Sequence, residues 1–480
     1  MILVSAILLL IYLTFFSICL YQVAKARLHY VLFYSILCFP IYTLLLAEIY
    51  NGFESPLLVN LVQYSKEILI FSAPSLLIFG KKDFLKRRWE ISHLDWCFLL
   101  FLGLTVFFFL SGIGEATVFN RAVYVKNILL ICTFYFLGRN VKMDFTSWNK
   151  AFKLIFLITM IACAVVVLEK IFNTHFHSIL GYAKYNQHIK DVDPQGTFGL
   201  TWTFEAPGGL PRFASIFANP LEHAASLLIS AAVGIVFLIS VKHKGNRQKY
   251  LFLLICSFIC VLFAYSRATF AAYFLMLIFM ALLLKYYTIL KAALAGMIIV
   301  CLYIIFLAPP DILFYVIDTL TFQNSSSVSH IVDWLKAVNS IIESPFGIGL
   351  AMSGNAGGVE KDLIVGGENQ YLIYGVQMGV IGMVLYIAMM IIGIRNSWKA
   401  FRLSNDIHEK IVPFVAASVK FGLLLPLFTA NGEVYIYVAL VSWWMIGSSE
   451  TVYQRARRSR STKLSNYSLN ALSNSSRVLS

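Results

Sequence analysis

ILVSAILLLIYLTFFSICL, residues 2–20, contains no charged side chain. At 1.5 Å of rise per residue a helix of this run is about 28 Å long, close to the ~30 Å hydrocarbon thickness of a bilayer. In lipid the backbone polar groups must pair within the segment, which a single run achieves only as a helix. Similar apolar runs recur near residues 30–49, 56–79, 96–111, 122–138, 151–172, 218–240, 250–265, 268–284, 288–308, 370–394, 411–429 and 433–447. The expected fold is an all-α integral membrane protein, a polytopic helical bundle of about thirteen spans.

Composition agrees. The 480 residues are 59% hydrophobic and only 13% charged, and the mean hydropathy is +0.77. Soluble domains carry about 25% charged residues, so a soluble enzyme, a disordered chain and a disulfide scaffold are excluded. The net charge is +14, but no basic stretch carries interleaved stacking aromatics, and nucleic acid is not an expected partner. Cys19, Cys38, Cys97, Cys132, Cys163, Cys256, Cys260 and Cys301 all fall in apolar runs and read as small hydrophobes rather than disulfides or metal ligands.

The cations orient the spans. No Lys or Arg precedes the first run, whereas Lys25 and Arg27 follow it, which favours an uncleaved span with its N-terminus outside. Lys81, Lys82, Lys86, Arg87 and Arg88 fall in the third connection, Arg139, Lys142 and Lys150 in the fifth, and Lys242, Lys244, Arg247 and Lys249 in the seventh. Every odd connection is basic, which sets the C-terminus in the cytoplasm and makes the span number odd. Residues 1–447 form the membrane domain, with two long extracytoplasmic loops, 173–217 and 309–369. Within the second, Ile331, Leu335, Val338 and Ile342 mark an amphipathic helix over residues 329–343 that lies on the membrane or caps a cavity. Residues 448–480, rich in Ser, Arg and Asn, read as a disordered basic tail able to touch anionic membrane lipids.

Ionisable groups at membrane depth are expensive and often functional. Arg267 sits in a tight outer hairpin, where the plain alternative is an interfacial arginine. Arg212 follows the Gly- and Pro-broken run Gly208–Pro211, and the alternative is a loop residue at the membrane edge. Glu368 closes Gly366-Gly367, where it could simply favour a helix N-terminus. His330, with Asp333 on the same helical face, could be a capping residue. Lys66, Glu67 and Lys126 lie within spans and could pair there. Glu222 and His223 open a span. His175, His177 and His188 match no metal spacing and are expected to be exposed.

Three segments together resemble bacterial polysaccharide polymerases and O-antigen ligases of the Wzy/WaaL-type superfamily. They are Arg212–Pro220, Tyr265–Thr269, and the stretch from Ser329-His330 through Pro345–Gly349 and Glu368–Leu372 to Gln377–Gly382. Glu368 stands where the ligases commonly carry a histidine, and His330 where many relatives carry an arginine; this aligns the chain with the polymerase branch. The resemblance implies transfer of glycan from undecaprenyl pyrophosphate at the outer face of the bacterial cytoplasmic membrane, with no metal or other cofactor. It also makes a chain-length regulator a candidate partner. As the donor bond breaks, negative charge grows on phosphate oxygens, and Arg212 and Arg267 would meet it with charge-assisted hydrogen bonds. Glu368 would be the base that takes the acceptor's proton, with His330 as orienter or alternate base. Trp202, Trp334 and Tyr371 would stack on sugar rings.

Three competing readings share this composition: ligase-type transfer of finished glycan to another acceptor, a lipid-linked glycan flippase without bond chemistry, and a scaffold or sensor acting through the tail. No internal repeat supports the flippase. The orientation is testable with a phosphatase that is active only outside the cytoplasm. Fused after Glu54 it is expected to be active and after Ser448 inactive; the reverse pattern in cells would overturn the assignment.

Overall fold

The computed structural model describes residues 2–80, 90–196, 198–206, 209–240, 244–321, 325–354 and 363–478. Lys81, Lys82, Lys86, Arg87, Arg88, Gly208 and Lys242 lie outside these residues. All thirteen expected spans fall on helices: α1 (Ile2–Ala24), α2 (Tyr30–Phe53), α3 (Pro56–Gly80), α4 (His93–Ser111), α5 (Val118–Asn140), α6 (Phe145–Phe172), then, after two short helices α7 (Phe176–Ile179) and α8 (Tyr182–Ile189), α9 (Pro220–Ser240), α10 (Lys244–Phe263), α11 (Arg267–Leu284) and α12 (Tyr287–Phe306). α13 (Pro310–Leu320) and α14 (Ser325–Glu343) occupy the second long connection, and α15 (Gln370–Leu403), α16 (Ile407–Thr429) and α17 (Ile436–Val478) complete the bundle. The described sheet is one antiparallel ladder, β1 (Glu205–Ala206) with β2 (Leu210–Pro211).

Ten of the helices are long and apolar enough to cross a membrane, among the described residues. α3, α10 and α17 fall short of that measure for local reasons. Gln63, Ser65, Lys66 and Glu67 interrupt α3, α10 opens on a basic turn, and α17 is apolar only in its first part. The polar residues inside α3 have partners: Lys126 Nζ on α5 lies 2.8 Å from Glu67, and Lys66 Nζ sits 4.2 Å above the Tyr42 ring. Polar residues before apolar runs start the helices, as where Ser92 and Asp95 cap α4 reciprocally and Asp144 caps α6.

α9, α16 and the first part of α17 run through the interior, while α1 and α12 leave most of their apolar surface uncovered by protein. α17 and α5 meet backbone to backbone. A Cβ on Gly138 would lie 2.1 Å from the Trp444 carbonyl oxygen, and one on Gly447 2.2 Å from that of Tyr135. Small residues permit this approach, which packs Trp443 and Trp444 fully inside. Beyond Ser448, where the sequence predicts a disordered tail, α17 continues as helix. Asn396 Nδ2 donates to the buried Glu450 (2.8 Å) and Thr451 Oγ1 to the Arg139 carbonyl (2.7 Å), so this turn has partners that composition does not reveal.

The expected span at 370–394 is not one straight helix. Met378 and Gly379 leave helical geometry, and residues 345–349 fill the break: Ile348 N donates to Val376 O, Gly349 N to Gln377 O and Val380 N to Pro345 O. A Val at 447 would have no room against the Tyr135 carbonyl. Gly447→Val is expected to destabilise the bundle by about 1–3 kcal/mol, the usual cost of overpacking, seen as a lower melting temperature of detergent-purified protein.

Candidate active site

The amphipathic helix predicted at 329–343 is α14, but its two faces divide differently from a simple apolar-inward pattern. Ile331, Leu335, Val338 and Ile342 are exposed, while Ala337 and Ile341 pack on Val376 of α15. The inward face therefore carries His330 and Trp334 towards the bundle. The chain at 365–368 lies tight against it. A Cβ on Gly366 (φ +64°) would be 2.9 Å from Ala337 Cβ and 3.0 Å from the Asp333 carbonyl, so glycine is required there. This contact brings Glu368 onto His330, whose Nδ1 lies against the carboxylate. Both side chains keep partial access, 20% for His330 and 38% for Glu368. Asn369 then caps α15, its Oδ1 accepting from Tyr371 N and Leu372 N, which leaves Glu368 at the positive end of a helix.

One turn before His330, Ser327 Oγ accepts from Arg267 Nη1 at 2.8 Å. Arg267 is the first residue of α11. Arg212 enters from the other long loop: its N–H donates to Phe204 O (2.8 Å), and the next residue's N–H donates to Phe263 O (3.3 Å), at the end of α10. The chain segments bearing the two arginines are thus joined by a backbone hydrogen bond. Tyr435 is buried just before α17. Burial pushes its phenol up, Glu222 and Glu368 add to the rise, and Arg212 opposes it. Trp334 and Tyr371 both pack on Phe428, with ring centroids 4.8 and 6.4 Å away. Trp202 instead stands 61% exposed in the turn Trp202–Phe204. Of the residues proposed from sequence, His330 contacts Glu368, Arg267 holds Ser327 one turn away, Trp334 and Tyr371 meet at Phe428, and Arg212 is linked to the Arg267 segment through the backbone.

Residues 250–387 match the sequence model of the O-antigen ligase family. Over that stretch, under a third of its length, the chain is similar to the Wzy/WaaL-type superfamily. Members of this family are membrane enzymes that transfer lipid-linked glycans, and with ten apolar helices the chain reads as a bacterial membrane protein. The match does not separate polymerase from ligase. No curated protein matches the chain. The matched domain contains Arg267, His330, Trp334, Glu368 and Tyr371; Arg212 precedes it.

Two buried polar groups that brace the surroundings of the site escape a reading of the sequence. The first fixes the Arg212 segment. Glu169 at the end of α6 accepts from Phe176 N (2.9 Å) and Ser215 N (3.0 Å), His177 Nε2 donates to Phe217 O (2.7 Å), and His223 Nδ1 to Phe213 O (3.2 Å). His175 and His177, expected to be exposed, are buried because the loop folds back over α6 and α9; only His188 stays at the surface. The second centres on Glu433. Tyr386 Oη (2.5 Å) and Trp443 Nε1 (3.1 Å) donate to its carboxylate, and Lys420 Nζ lies 3.8 Å from it and 3.6 Å above the Trp443 ring. Glu433 N in turn donates to Gln370 Oε1 (3.1 Å). A lysine inside the apolar run 411–429 was the available signal.

Burial pushes His177 down from 6.5 to about 3, outweighing the Phe217 carbonyl, which favours protonation, and pushes His175 down to about 4. Both are neutral when folded but take up protons below about pH 6.5 when unfolded. Their contribution is therefore complete above pH 6.5 and falls as pH drops towards 3–4, at up to about 1.4 kcal/mol per unit for each. The melting temperature is expected to fall between pH 7 and 5. His177→Gln, which keeps an N–H for Phe217 O, flattens that fall by about 2 kcal/mol at pH 5; an unchanged pH profile would contradict this account.

Proposed function

We propose that the protein polymerises oligosaccharide units linked to undecaprenyl pyrophosphate into a surface polysaccharide (O-antigen, capsule or exopolysaccharide) at the outer face of the membrane. The acceptor hydroxyl oxygen bonds to the anomeric carbon of the donor sugar. The carbon–oxygen bond to the diphosphate breaks, its electron pair leaves with the lipid diphosphate, and the hydroxyl proton goes to the base. The observation carrying this reading is the contact of His330 with Glu368, one helical turn from the serine that Arg267 holds. A carboxylate on Nδ1 fixes the tautomer whose Nε2 lone pair accepts a proton. In this reading His330 is the base and Glu368 orients it and stabilises the charged ring. Arg267 and Arg212 meet the charge of the departing diphosphate. Trp334 and Tyr371, with Phe428 between them, offer ring faces to sugars.

The description of the matched family favours a second reading, transfer of a completed glycan to a different acceptor. The same residues would serve it, and the product distinguishes the two: a ladder of lengths on the lipid carrier for a polymerase, glycan on another molecule for a ligase. A flippase would give neither.

In cells lacking the protein, Arg212→Gln and Arg267→Gln are each expected to lower transfer about 10²–10³-fold. His330→Ala lowers it about 10²–10⁴-fold, with normal membrane levels of each variant. Retention of full-length polymer by all three would sink the mechanism.

A further inference from the structure

Arg121 was not among the residues that the sequence singled out. It lies in the first turn of α5, 9% exposed, beneath the exposed turn 112–115. Its Nε and Nη1 are enclosed and meet no hydrogen-bond partner, and no carboxylate among the described residues forms an ion pair with it. Glu115, the acidic residue of the overlying turn, is exposed. Gly112 closes over the guanidinium, since a Cβ there would lie 3.3 Å from Nη1. A buried charge without a counter-charge is strongly unfavourable. The positive end of α5 raises the cost, and both effects reverse if an anion arrives.

The surroundings give the site its place. Tyr124, one turn along α5, accepts from Gln377 Nε2 (2.6 Å), and Gln377 Oε1 accepts from Ala351 N (2.7 Å). The turn at Gly114 rests on the Ile348 carbonyl and Gly349. Arg121 is therefore tied to the same first half of α15 that Asn369 caps beside Glu368. It is carried by α5 and the α4–α5 turn, whereas Arg212 and Arg267 are carried by the loop before α9 and by α11. A reaction between two lipid-linked glycans brings two diphosphates to one site, of which only the donor's leaves; the acceptor's must be held.

We propose that Arg121 seats the diphosphate of a second lipid-linked glycan, the acceptor, in a site separate from the arginines that bind the donor; this rests on the polymerase reading above. An anionic phospholipid headgroup offers related phosphate chemistry, so the test includes both sources. Full-length protein in phosphatidylcholine nanodiscs is titrated with undecaprenyl diphosphate, and bound lipid is counted by native mass spectrometry. Wild type is expected to bind two molecules per chain. Arg121→Gln should weaken one of them at least about tenfold, as expected for loss of a charge-assisted pair, and Arg212→Gln should weaken the other. If Arg121→Gln still binds two with wild-type affinity, or wild type binds only one, the second seat does not exist. If phosphatidylglycerol at equal concentration displaces the diphosphate that depends on Arg121, the site belongs to phospholipid and the proposal fails. If Arg212→Gln and Arg267→Gln weaken neither molecule, the donor assignment falls while the Arg121 result is still read separately. Arg121→Met should raise the melting temperature of the ligand-free protein by removing the uncompensated charge. A lowered value would make Arg121 a structural strut and overturn the proposal.

Discussion

A carboxylate shut inside the bundle governs how the ends of three helices meet. Glu433 can stay buried only while Tyr386, Trp443 and Lys420 all face it, because the loss of any one leaves charge or hydrogen-bonding capacity unmet in a dry interior. Those three side chains belong to α15, α17 and α16. The requirement therefore sets these helices against one another and fixes the short turn at 432–434 between α16 and α17. Through its own N–H and Gln370 the same residue holds the start of α15, where Asn369 and Glu368 stand, and the turn delivers Tyr435 to the candidate site.

Around that brace the charges are divided by role. Glu433 and His177 have partners within the fold and serve the architecture, whereas the equally buried Arg121 has none for its Nε and Nη1 among the described residues. His330 and Glu368 face each other but keep access from outside, the condition that a proton-transferring pair must meet. Arg267 and Arg212 come from different parts of the chain, and one backbone hydrogen bond between Phe213 and Phe263 joins the segments that carry them. The family domain at 250–387 supplies one of these arginines and the His–Glu contact; the preceding loop supplies the other arginine.

Much of this was legible in the chain because hydrophobicity is local. Each apolar run became a helix, and α14 appeared where Ile331, Leu335, Val338 and Ile342 recur at helical spacing. Arg267, His330 and Glu368 stood out because ionisable residues are rare beside apolar runs. Partnerships were not legible. Nothing in the sequence near Lys420 says that its carboxylate lies across a turn at Glu433, or that the histidines of a polar loop fold back under it. Arg121 reads as an ordinary first-turn residue until the α4–α5 turn covers it. The orientation of α14 also escaped periodicity, which reports that a helix has two faces but not which one the bundle takes. The helical course past Ser448 depends on Asn396 and Arg139, residues more than fifty positions earlier, so composition alone favoured disorder.

The interruption at Met378–Gly379 separates α15 into two mechanical parts. Residues 345–349 bridge the two, with Ile348 and Gly349 bonded to the part before and Pro345 to Val380 at the start of the part after, which then continues through the bundle. Bilayers differ in thickness, and long helices answer by tilting. With the break at Gly379, a tilt of the column is taken up there, and the cap at Asn369 keeps its place beside Glu368. The same chain can thus keep one geometry at its surface in membranes of unequal depth.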